Sequence, residues 1–97
     1  MSTPVLKHNS YFDGQVQSVG YARNGRSATV GVIAAGEYHF GTDAPERMTV
    51  VSGELSMRRD SGSSWATYPA GTAFEIAGKS GFDVRAIEVA AYLCEFL

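Results

Sequence analysis

Residues 38–53 read YHFGTDAPERMTVVSG. An aromatic run ends at Thr42-Asp43-Ala44-Pro45, and a second run goes from Glu46 to the turn signal Ser52-Gly53. That is the pattern of two short strands joined by a loop. Side chains alternate faces along a strand, so the interior receives either His39 and Gly41 or Tyr38, Phe40 and Thr42. Tyr38 and Phe40 are the larger apolar groups, and the inner side of a small β-protein is mostly apolar. Tyr38, Phe40 and Thr42 are therefore expected to face inward. The plainer reading of His39 is a solvated strand residue.

The same alternation recurs outward from this stretch. Ala28, Val30, Val32 and Ala34 share one strand face, and Ser27, Thr29 and Gly31 the other. Leu55 and Met57, Phe74 and Ile76, Phe82, Val84 and Ala86, and Tyr92, Cys94 and Phe96 each alternate with polar or smaller neighbours. Turn signals separate the runs: Arg23-Asn24-Gly25, Ala35-Gly36, Asp60-Ser61-Gly62-Ser63 and Pro69-Ala70-Gly71. About eight or nine short strands and little helix follow from this count. The fold class is all-β, a sandwich, jelly roll or barrel. The 97 residues make one domain. Residues 1–10 read as a weakly ordered arm, and residues 11–97 as the folded domain.

Composition narrows the partners. The formal net charge is -2, and among the basic residues only Arg58 and Arg59 are adjacent. Phosphate backbones and anionic membranes select clustered Lys and Arg, so neither nucleic acid nor a membrane is expected. The single cysteine, Cys94, excludes an internal disulfide and fits a reducing compartment. Residues 1–10 hold no apolar segment of signal-peptide type, so a cytoplasmic protein is expected. Cys94 lacks a basic sequence neighbour and reads as a small buried core residue. Trp65 follows the DSGSS turn and is expected at a hairpin base.

Glu46, six intervening residues and Gly53 resemble the second half of the first cupin motif, G-x5-H-x-H-x3,4-E-x6-G. Pro69-Ala70-Gly71 followed by Phe74 resembles the start of the second, P-x-G-x2-H. The spacings fit and the ligands do not. With four residues before the Glu, the His positions hold His39 and Gly41; with three, Phe40 and Thr42. Phe74 replaces the His of the second motif. A transition metal takes three or four good ligands, so no metal is expected.

A more specific resemblance covers nearly the whole chain after residue 8. The segments YFDGQVQSVGYA, GRSATVGV, GEYHFGTDAPERMTVVSGEL, YPAGTAFEIAGKSGFDV and AYLCEFL, in this order, are similar to the pyrimidine/purine nucleoside phosphorylase family of small cupins. The resemblance implies a compact jelly-roll-like β-barrel that forms a homodimer. It implies phosphorolysis of many nucleosides to a free base and ribose 1-phosphate, with inorganic phosphate as co-substrate and no metal or other cofactor. His39 and Lys79 stand where the family varies and receive no essential role.

Phosphorolysis passes through an oxocarbenium-like transition state, as glycoside cleavage does. Phosphate must be held near C1′, the ribose oriented and the leaving base stabilised. Glu46 is the candidate catalytic residue, because a carboxylate can accept hydrogen bonds from two vicinal ribose hydroxyls. Tyr38, Phe40 and Phe74 are candidates to stack the base, which aromatic faces do without regard to base identity. Thr42 and Met48 complete the candidate substrate-binding set. For phosphate the chain has no Gly-Lys-Ser/Thr nucleotide loop. Arg26 is the first candidate. Ser80, in the nest-like turn Gly78-Lys79-Ser80-Gly81, is the second, and Arg47 and Arg85 are further options. Each arginine reads equally as a solvated surface charge. Two other activities are compatible with the same residues: a non-catalytic sugar or nucleoside-binding cupin, and a metal-dependent cupin enzyme using His39, Glu46 and a third ligand.

Overall fold

The computed structural model describes residues 6–97, and within them ten strands and no helix. The strands are β1 (Lys7–Tyr11), β2 (Val16–Arg23), β3 (Arg26–Ile33), β4 (Gly36–Gly41), β5 (Glu46–Ser52), β6 (Glu54–Arg59), β7 (Ala66–Pro69), β8 (Ala73–Ile76), β9 (Gly81–Ala86) and β10 (Ala90–Phe96). They form a six-stranded sheet in the order β1-β2-β3-β10-β5-β8 and a four-stranded sheet in the order β4-β9-β6-β7. Every pairing is antiparallel. The two sheets face each other across one apolar core without a closed ring of hydrogen bonds, in a single cupin-like domain. Among the described residues no helix is long and apolar enough to cross a membrane.

The expected arm is partly a strand. Lys7 to Tyr11 pair with Gly20 to Val16, so residues 7–10 belong to the sheet, while residues 1–5 lie outside the described residues. Residues 7–10 offer no apolar alternation of their own, and the strand is recruited by the edge of β2. The hairpin from β2 to β3 forms where the sequence announces it. Asn24 and Gly25 both have positive φ, 53° and 76°, in a two-residue turn that sets Arg23 against Arg26.

The core is built by the alternation seen in the sequence. Val16, Ile33, Val50, Leu55, Met57, Phe82 and Val84 are almost wholly buried between the sheets. On β3 the faces fall against simple hydrophobicity: Gly31 and Ile33 point inward, whereas Val30 and Val32 are about half exposed on the outer side. The reason is Tyr92. Its Cα partner across the β3–β10 pairing is Gly31, and its ring occupies the space a side chain at Gly31 would take. A large residue on β10 thus requires the smallest one on β3.

Replacing Gly31 by Ala places a methyl group inside the Tyr92 ring. Overpacking of this kind costs about 1–3 kcal/mol. The melting temperature of Gly31→Ala, read by calorimetry, is expected to fall by at least several degrees; an unchanged Tm would contradict this packing.

Candidate active site

A cavity of about 400 Å³ opens between the sheets. The six-stranded sheet lines it with Ser18 of β2, Thr29 of β3, Glu46 and Met48 of β5, and Tyr92, Cys94 and Phe96 of β10. The four-stranded side supplies Phe40 and Phe82, with exposed His39 and Gly41 beside them. Tyr11 and Phe12, at the end of β1 and in the loop after it, complete the lining. Glu46 is the one carboxylate among the described lining residues, and no lysine or arginine joins it.

Glu46 opens β5, between Phe96 of β10 and Ile76 of β8. Glu46, Met48 and Val50 point inward by alternation. Cys94 is paired with Met48, so it lies on the same face, diagonal to Glu46. Its thiol donates a hydrogen bond to Glu46 Oε1 at 3.3 Å. Partial burial raises the Glu46 pKa above its ordinary 4.5; the Cys94 hydrogen bond opposes the rise and the nearby Asp43 charge adds to it. Burial also pushes the Cys94 thiol far up, and the charge of Glu46 and the hydrogen bond to it push further. The thiol therefore stays protonated and acts as a donor. Tyr92 is pushed up to about 12, mainly by burial, so its phenol is neutral as well.

His39, which borders the cavity, also heads a surface network. Its Nδ1 lies 2.9 Å from Asp83 Oδ1 and its Nε2 lies 3.6 Å from Asp60 Oδ2. Arg58 donates from Nε and Nη2 to Asp83 Oδ2 at 3.2 and 2.8 Å. The Arg58 hydrogen bonds, and then that of His39, hold the Asp83 carboxyl below its usual range. The ligand atoms of His39, Asp60 and Asp83 lie within 4.8 Å of one another, but Asp83 is already neutralised by a guanidinium and His39 is more than half exposed.

The sequence-expected site residues divide in two. Glu46, Phe40 and Met48 meet in the cavity. Tyr38, Thr42 and Phe74 face inward but do not line it. Tyr38 is buried, and its hydroxyl donates to the Ala34 carbonyl at 3.0 Å, with that of Ala35 at 3.2 Å. Phe74 is buried between Tyr68 and Phe82, with ring centroids 4.8 and 6.1 Å away. Thr42 is a structural tie. Its Oγ1 donates to the Ala77 carbonyl at 2.7 Å and accepts from the Ser80 amide at 3.0 Å, joining the loop before β5 to the loop before β9. Alternation tells which way a side chain points, whereas the space it points into depends on how the two sheets are filled.

The two phosphate candidates lie elsewhere. Ser80 gives its backbone to Thr42 and lines no part of the cavity. Arg26 is exposed in a different depression with Tyr21, Arg23 and Glu95, and only Phe96 borders both hollows. Sequence reasoning also missed Tyr11, Phe12, Ser18, Thr29, Phe82, Tyr92, Cys94 and Phe96 as lining residues. The alternation of Tyr92, Cys94 and Phe96 is visible as a strand face; its pairing with Glu46 is not, because Glu46 and Cys94 lie 48 positions apart in the chain.

Over residues 6–96 the chain matches the family described as pyrimidine/purine nucleoside phosphorylase. The chain belongs to this family. It is 70% identical over 93 residues to the pyrimidine/purine nucleoside phosphorylase of Sorangium cellulosum, covering 96% of this chain and 100% of the relative. It is 60% identical over 93 residues to that of an Anaeromyxobacter species, covering 96% and 89%. Its fold is similar to the crystal structure of a Vibrio parahaemolyticus protein of unknown function, with a TM-score of 0.94 and 47% identity over 97% of this chain and 100% of that one.

A thiol with a pKa raised by burial and a neighbouring carboxylate is a poor nucleophile. Native protein is expected to react with a disulfide reagent at pH 8 far more slowly than denatured protein. Equal rates in the two states would overturn the described environment of Cys94.

Proposed function

We propose that the cavity around Glu46 is where this family member converts a nucleoside and inorganic phosphate to a free base and ribose 1-phosphate. One observation carries the assignment. Glu46 has one oxygen held by Cys94, and its other oxygen has no side-chain partner among the described residues, in a cavity walled mainly by aromatic rings, Met48 and hydroxyls, with His39 and Gly41 on the four-stranded side. In the proposed reaction a phosphate oxygen bonds to C1′ as the C1′–N bond breaks, and the bonding pair leaves with the base nitrogen, which takes up the proton that the hydrogen phosphate gives up. The free oxygen of Glu46 accepts hydrogen bonds from the ribose hydroxyls. Its charge, in surroundings of low dielectric, stabilises the positive charge that develops on the sugar ring. Ser18, Thr29 and Tyr92 supply neutral hydroxyls for phosphate and ribose oxygens, in place of Arg26 and Ser80.

The proposal includes no metal. With Phe40 and Thr42 inward, the positions at which cupins place ligand histidines carry Phe40, Thr42 and Phe74, and the Thr42 hydroxyl is engaged by backbone. Glu46 with a protonated thiol is a poor donor set for a transition metal. Nucleic acid is not a proposed partner, since Arg47 is paired with Glu75 and Arg58 with Asp83. A cytoplasmic location is proposed from the single reduced cysteine.

The test is direct. Base release from uridine or adenosine is expected to require phosphate, and release that ignores phosphate would sink the proposal. Glu46→Gln is expected to lower kcat/KM by about 10²-fold or more, in line with loss of a single charge-stabilising group. Its folding stability moves the other way. Because the native pKa is raised, ionising Glu46 opposes folding: stability is full below the ordinary 4.5 and declines as pH rises through the raised value. Glu46→Gln is therefore expected to be at least as stable as wild type at pH 7 while nearly inactive. Wild-type activity is expected to fall on the acid side as Glu46 takes up its proton.

We also propose a homodimer joined through the outer face of the six-stranded sheet. Val19, Val30 and Leu93 stand in one cross-strand row, with Val32 and Ala91 in an adjacent one. Val19, Val30 and Val32 are 41%, 46% and 50% exposed, where a solvated sheet face is ordinarily polar. A two-fold pairing of this face would cover all of them twice. Light scattering is expected to give twice the chain mass for wild type and the single mass for Val30→Asp; a monomeric wild type would remove the proposal.

A further inference from the structure

The loop joining β1 to β2 carries an unusual backbone. Phe12 and Asp13 both have φ near 55°, and Gly14 follows at 85°. Asp and Gly enter the left-handed region readily, but a bulky aromatic residue does not, because its Cβ crowds the following carbonyl. The loop is nonetheless closely held. The Gly14 amide donates to the Tyr11 carbonyl and the Gln15 amide to the Phe12 carbonyl, each at 3.1 Å. Gln17 Nε2 donates to the Gly14 carbonyl at 3.1 Å, and the Ala34 amide to the Gln15 carbonyl at 2.8 Å.

This backbone carries the Phe12 ring from the six-stranded sheet across to the four-stranded one. Its centroid lies 5.1 Å from Tyr38 and 5.7 Å from Phe40, the latter at an interplanar angle of 87°. Both Phe12 and Phe40 line the cavity that holds Glu46. Edge-on contact fixes the ring without a stacked partner, and 46% of Phe12 stays exposed. Burial therefore repays only part of a conformation that Asn or Gly would adopt without strain. Strain of this kind, at the wall of a cavity, points to a functional demand on the side chain.

We propose that Phe12, backed by Phe40, is the platform on which the nucleobase stacks. The inference rests on the nucleoside-cleavage reading of the Glu46 cavity and adds the base subsite to it. Every base presents a π-face, so an aromatic wall accepts purines and pyrimidines alike, whereas base-edge hydrogen bonds would select among them. Phe82, whose ring centroid lies 5.8 Å from that of Phe40, and the lining residue Met48 add apolar surface without edge-reading donors. Tyr38, expected from the sequence to stack the base itself, instead buttresses the ring that does so.

The experiment separates base from sugar. Phe12→Asn keeps a residue at ease in the left-handed region and removes the ring. In the synthetic direction, its KM for free uracil and adenine is expected to rise about tenfold, a typical loss for one base–aromatic stack. Its KM for ribose 1-phosphate is expected to stay within about twofold on the same reasoning. Phe12→Trp should retain affinity for the bases. Phe12→Leu, which keeps an apolar plug without a π-face, should show the same selective loss and covers the case in which the Asn variant does not fold. Unchanged base KM, or an equal rise for base and ribose 1-phosphate, would overturn the proposal. Should the wild-type chain release no base from nucleosides, the catalytic reading falls. Equilibrium binding of adenosine to wild type, Phe12→Leu and Phe12→Trp then decides the stacking role alone: weaker binding only in the Leu variant supports it, and equal binding in all three, or none to wild type, refutes it.

Discussion

The antiparallel pairing of β5 with β10 is the constraint on which the site depends. It sets Met48 opposite Cys94 and Glu46 opposite Phe96, with all four side chains directed to the same interior face. A carboxylate, a thiol, a thioether and a ring thus become neighbours although they come from distant parts of the chain. A one-residue slip of β5 against β10 would turn Glu46 and Met48 outward and take from the cavity the one carboxylate among its described lining residues. The neighbouring β3–β10 pairing carries a matching constraint, since the Tyr92 ring requires Gly31 beneath it. The sheet is therefore specified by interlocking of large and small residues as well as by hydrogen bonds.

Placing Glu46 in this apolar setting has an energetic cost that the structure only partly offsets. Desolvation raises its pKa, and the one side-chain donor is a thiol, weaker than a hydroxyl or a guanidinium. An arginine partner would have stabilised the carboxylate more, and would also have neutralised the charge on which the proposed role of Glu46 depends. Arg58 shows that alternative on the surface, where it holds Asp83 in a two-donor ion pair beside His39. The chain keeps its strong ion pairs outside and its weakly supported carboxylate inside, an arrangement common to functional sites.

The legibility of the chain in its sequence followed the range of the interactions involved. Alternation in residues 38–53 oriented Tyr38, Phe40 and Thr42 correctly toward the interior and left His39 outside. Arg23-Asn24-Gly25 marked a turn, which is a two-residue hairpin, and Glu46, expected to turn into the interior, lines the cavity. Beyond that the reading weakened. Thr42 and Ser80 read as substrate contacts, yet they bond to each other across two loops. Val30 and Val32 read as one strand face with no side assigned, and the structure turns that face outward while Gly31 lies against the Tyr92 ring. Lys7 to Ser10 read as an arm, yet the edge of β2 makes them a strand.

By itself, then, the sequence determined the all-β class, most of the strands and turns, the inward set on β4, the cupin spacing around Glu46 and Gly53 and the likeness to a phosphorylase family. All of these are local periodicities or linear matches, which the chain carries without folding. The tertiary structure alone decided which inward residues border open space. It brought Phe12, Tyr92 and Cys94 to Glu46, and withdrew Tyr38, Phe74, Arg26 and Ser80 from it. Those placements depend on strand order and on the filling of the space between two sheets, and both arise from pairings between segments far apart in the chain.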